Sequence, residues 1–105
     1  MRQATTPTYL INIEDENGQP LDASIIADLC VSFKQGDTIV ERRLKDCTSE
    51  NGCYKVCLKR EETCCFEVGE FVEIQAEVKT TDGHHLTTDI IYEVVEKAVN
   101  KGAFE

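Results

Sequence analysis

Five of the six cysteines lie in one stretch, Cys47 to Cys65, and thiols at that density can cross-link, bind a metal or exchange electrons. A four-thiolate zinc site needs knuckles of two to four residues between cysteines. Here the gaps are five, three, six and none. If Cys53 and Cys57 share a strand, they stand about 13 Å apart and cannot reach one ion. Disulfides fit better. A hairpin of residues 53–59 with 63–69, in the register that sets Val56 against Phe66, places Cys57 opposite Cys65 and keeps the apolar side chains inward. The preceding turn brings Cys47 opposite Cys53. Opposed strand positions of about 4.5–5.5 Å suit a disulfide. The expected bridges are Cys47–Cys53 and Cys57–Cys65, with Cys30 and Cys64 paired or free. Reduced structural thiols come next, and a Cys-cluster metal or redox site last.

Other residues offer less chemistry. His84-His85, with Asp82 or Asp89, has the types for a surface metal site but reads as a solvated hairpin tip. Asp15-Glu16-Asn17-Gly18 with Asp22 lacks the alternating ligands and closing Glu of a calcium loop, so it reads as a tight turn. Glu61 and Glu62 fall in a polar connection, where no perturbed acidity is expected without burial. There is no phosphate loop, nucleophile elbow or HExxH motif. The expectation is no enzyme, no catalytic residue, no metal and no cofactor.

The elements that would carry these residues are strands. Thr8 to Glu14 alternates, with Tyr9, Ile11 and Ile13 on one face. In 23–33, Ile25, Ala27, Leu29, Val31 and Phe33 share the inward face. Residues 38–46 form a charged strand suited to a sheet edge, with Val40 and Leu44 inward. Tyr54, Val56 and Leu58 face in, then Cys64, Phe66 and Val68, then Val72, Ile74, Ala76 and Val78. Leu86, Thr88, Ile90, Tyr92 and Val94 complete the set. Turns fall at 15–20, 34–37, 48–52 and 81–84. Residues 93–101 read either as a short C-terminal helix or as a strand extension. The sum is an all-β, antiparallel sandwich of about seven strands, immunoglobulin-like or prealbumin-like. Residues 1–7 would be a flexible arm, 8–95 the sandwich, and 96–105 a polar tail.

Two segments resemble a known family. Ile13-Glu-Asp-Glu-Asn-Gly-Gln-Pro-Leu-Asp-Ala-Ser-Ile25 is similar to the opening of carboxypeptidase regulatory-like, transthyretin-like domains, and Thr48-Ser-Glu-Asn-Gly-Cys-Tyr-Lys-Val-Cys-Leu58 to their hairpin. Residues 68–83 resemble a strand and turn of bacterial immunoglobulin-like domains. The resemblance spans roughly residues 9–94. It implies a sandwich without catalysis, used as an accessory, adhesive or building module. The cysteines depart from the family pattern.

Composition narrows the partners. The 105 residues suffice for one domain with its own core. A net charge of −9 and a pI near 4.6 disfavour nucleic acid and anionic membranes. No apolar run is long enough to insert in a membrane. Six of the eleven basic residues lie between Glu41 and Glu62, so a basic face could meet an acidic one head to tail; an interspersed, solvated surface is the plainer reading. Residues 1–7 lack the apolar core of a signal peptide, which leaves a cytosolic or virion protein, or an export signal cut away. The cysteine count points to an extracellular, cell-surface or virion setting, or a hyperthermophile cytosol. Apolar residues on otherwise polar faces, Leu10, Ile26, Phe71, Ile91 and Val95, are candidate interface positions. The functional expectation is a disulfide-stabilised structural module that assembles as a homo-oligomer or on a protein partner. The alternative is a ligand- or protein-binding accessory domain.

Overall fold

The computed structural model describes residues 1–50 and 52–102. Among the described residues, eight strands form two antiparallel sheets, in keeping with the alternating sequence. The smaller sheet has the order β1 (Thr8–Asn12), β5 (Cys53–Cys57), β4 (Thr48–Glu50). The larger runs β3 (Thr38–Arg43), β2 (Ile26–Gln35), β6 (Phe71–Thr80). Two short strands lie end to end against β6: β8 (Ile91–Val94) on Phe71–Ile74 and β7 (His85–Thr87) on Glu77–Lys79.

The sheets bury one common core. Ile11, Tyr54, Val56 and Leu58 come from the small sheet side, and Leu29, Val31, Phe33, Val72, Ile74, Ala76 and Val78 from the large one. The rings of Tyr9 and Phe33 meet across the gap with centroids 5.2 Å apart. Alternation therefore placed most of the core, and β3 lies at a sheet edge as its charges imply.

Several expectations are corrected. Residues 53–59 do not pair with 63–69. Arg60–Thr63 instead form one helical turn, α1, in which the Glu62 carboxylate accepts the Lys59 N–H at 2.7 Å, and β5 takes β1 as its partner. Phe66 is still buried, but Val68 is exposed. In β2 the register slips between Ile26 and Asp28. A bulge changes the parity, so Ile26 is buried while Ile25 and Ala27 are exposed. The face of 86–94 is not core: Leu86, Ile90, Tyr92 and Val94 are exposed, whereas Val95 is 1% exposed. No helix forms at 93–101 among the described residues.

The opening segment is docked rather than free. Gln3 N–H donates to Glu96 O, Glu96 N–H donates to Met1 O, and the buried Gln3 side chain donates to Phe66 O at 2.7 Å. The chain thus starts beside the end of β8, bridging Arg2 to Glu96, and then crosses to the other sheet as β1.

Candidate protein interface

All six cysteines are unbridged, and the strand registers explain why. Cys53 opposes Glu50, not Cys47. Cys57 opposes Thr8, and its Sγ lies 3.4 Å from the Thr8 hydroxyl. Cys65 follows α1, and its thiol donates to Glu61 O at 3.2 Å. Cys30 lies beside Ser32, Sγ to Oγ 3.7 Å. Cys47 donates to Arg43 O, and burial, then the charge of Asp46, push its thiol upward against a smaller opposing pull from Arg42. Cys64 is half-buried. Both expected disulfides are therefore displaced by the pairing of β5 with β1 and β4.

The acids and histidines are taken up locally. His84 Nδ1 lies 3.0 Å from Asp82, and His85 Nδ1 lies 3.3 Å from Glu77. Hydrogen bonding from Thr80 is the first cause holding Asp82 below the usual carboxylate range. The Asp15 carboxylate accepts from Asn17 and Gln19 N–H groups and so closes its own turn. Glu62 departs from expectation. Its partial burial raises the carboxyl, but hydrogen bonds and charge from Arg42 and Lys59 overcome that and hold it low. Among the described residues no three His, Cys, Asp or Glu side chains are placed to share a metal ion. No helix there is long and apolar enough to cross a membrane.

A shallow polar groove of about 330 Å3 crosses the outer face of the large sheet, with Asp28, Cys30, Arg43, Glu77, Lys79 and His85 on its walls. Arg43 pairs there with Asp28 at 2.9 Å. These charges largely answer one another.

The outer edge of β1 is different. Leu58 N–H donates to Pro7 O and Ile13 N–H to Gly52 O, while Tyr9 opposes Val56 and Ile11 opposes Tyr54. Main-chain polarity alternates along an antiparallel strand. Residues 7, 9, 11 and 13 therefore turn their polar groups toward β5. Thr8, Leu10 and Asn12 turn theirs away, and no described residue bonds to them. The strand itself, Thr-Tyr-Leu-Ile-Asn, carries no charge, and nothing within it blunts the edge.

Beside this edge a groove of about 380 Å3 opens toward β6 and the chain before β8, between Leu10, Ile74 and Ile91. Leu10 is 64% exposed and Ile91 55%. Phe71 and Tyr92 pack edge to face farther along β6 and β8, both exposed. Of the five interface candidates, Leu10, Phe71 and Ile91 are thus at the surface, and Ile26 and Val95 belong to the core. The free main chain of β1 was missed. Its signal was the lack of charge in residues 8–12, but which strand lies at an edge depends on strand order.

The chain matches no family model, no curated protein and no solved structure.

Proposed function

We propose that this chain is a non-catalytic structural module, a β-sandwich that joins neighbouring subunits by its open side. Self-assembly or docking on a protein partner would fit a role in a filament, a virion or a surface layer. The observation that carries this reading is the uncharged free edge of β1 with Leu10 and Ile91 exposed beside it. Unpaired strand edges recruit further strands unless charge, proline or a bulge prevents it. The disulfide support expected from the sequence is dropped, because no cysteine opposes another across the strands.

Sedimentation velocity from about 1 μM to about 1 mM tests the reading against the micromolar affinities of weak interfaces. A sedimentation coefficient that rises with concentration, or co-sedimentation with a partner, supports it. A strict monomer that captures no partner overturns it.

The polar groove over the large sheet favours a second reading, an accessory domain that binds a small polar or glycan ligand. Saturable glycan binding by the monomer, lost on Arg43→Ala, would select that reading instead.

A further inference from the structure

We infer that the partner at the β1 edge is a second copy of this chain, paired β1 to β1 about a two-fold axis through Leu10. This rests on the proposed assembly role and specifies its occupant.

The free groups alternate at Thr8, Leu10 and Asn12, so their arrangement is symmetric about Leu10. An antiparallel second copy then sets Leu10 against Leu10, and Thr8 against Asn12 in both directions. Each opposed residue offers its N–H and C=O, which allows about six main-chain hydrogen bonds. The small sheets would merge into one continuous sheet of both copies. Two-fold self-pairing of one patch is the commonest closed way for identical chains to associate.

Charge selects this edge. The protein carries −9 overall, so most faces of two copies repel. The strands of the small sheet hold only Lys55 and Glu50 as charged residues, a net of zero. Extending the pairing outward sets Glu14 against Thr6, so no like charges oppose each other along the seam. The opposite edge of the fold, β3, presents Glu41, Arg42 and Arg43. The same two-fold brings the Ile91 side of each large sheet toward its mate and covers the apolar Leu10 and Ile91 beside the seam, with Asp89 the one charged residue lining that groove. A five-residue seam is small against the roughly 1,000 Å2 of a durable interface. The dimer is therefore expected to be weak, with a dissociation constant on the order of tens of micromolar.

The test uses matched substitutions on the whole chain. Leu10 and Ile39 are both exposed on strand edges, and both oppose a lysine, Lys55 and Lys34. Leu10→Glu therefore gains a cross-strand ion pair within its own chain and sets glutamate against glutamate at the seam. Ile39→Glu makes the same chemical change at the β3 edge. Circular dichroism checks that each variant folds, and Thr8→Glu serves as a second seam variant. Native protein and Ile39→Glu are expected to dimerise alike. Leu10→Glu should weaken association at least tenfold, and mixing it with Leu10→Lys should restore a heterodimer. If the native chain assembles but Leu10→Glu assembles equally well, the β1 seam is wrong while the assembly role stands. If the native chain neither self-associates nor captures a partner at any concentration, both fall. If it stays monomeric and captures only a different protein, the seam falls and the assembly role survives.

Discussion

The guanidinium of Arg42, on the edge strand of the large sheet, holds the carboxylate of Glu62, in the helical turn that follows the small one. Arg42 also donates to Cys57 O at 3.2 Å, and Glu62 accepts the Lys59 N–H. Both side chains are mostly shielded from water. This ion pair ties the two sheets together at one end of the sandwich.

Removing that charge should be costly. Glu62→Gln is expected to destabilise the fold by about 1–2 kcal/mol, the scale of a charge-assisted bond in a partly buried site. The carboxyl is held below its ordinary value of 4.5 in the folded state. Its contribution is therefore present above that value and is lost as pH falls through the folded value. Urea melts of native protein and variant should differ at pH 7 and converge in acid. Equal stability at pH 7 would contradict the clamp.

The thiols give a second prediction. Intact mass after alkylation without reductant should show six adducts per unfolded chain. On the folded protein Cys57 and Cys65, both exposed, should label first. Cys47 should lag, its rate still climbing above pH 9 because burial and Asp46 raise its thiol. A pair of cysteines that reacts only after reduction would restore the bridged reading.

Gly52 gives a third. It sits at φ +80°, and a Cβ there would lie 2.7 Å from the Pro20 Cβ. Gly52→Ala combines left-handed strain with a clash against a rigid ring, for a cost of about 2–3 kcal/mol. A thermal melt unchanged from the native one would show that the turn relaxes freely.

These residues also show what the sequence could and could not reveal. The alternating runs carried the faces of Tyr54, Val56 and Leu58, and of Val72 through Val78, because burial of one sheet face imposes period two. The turns at 15–20 and 81–84 were legible from Asn17-Gly18 and Asp82-Gly83. Pairing was not. Cys57 looks equally able to face Cys65 or Thr8 until one knows that Glu62 folds back on Lys59 and turns residues 60–63 into a helix. The slip in β2 was hidden because Ile25 and Ile26 are both apolar, and either could have led inward. The apolar run of 86–94 misled because β7 and β8 lie end to end along the outer edge of β6, where Leu86, Ile90, Tyr92 and Val94 stay exposed, while Val95 just after them reaches the core. The candidate edge was half legible. Leu10, Phe71 and Ile91 stood out as apolar residues on polar faces, but the free main chain beside Leu10 follows only from strand order.

The amide of Leu10 tests the central proposal most directly. Its N–H points away from β5, whereas that of Ile11 points into the ladder. Hydrogen exchange should find Leu10 fast in the dilute chain and at least tenfold slower at concentrations where the chain associates, with Ile11 protected in both. A Leu10 amide that exchanges equally fast in the associated protein would contradict the β1 seam.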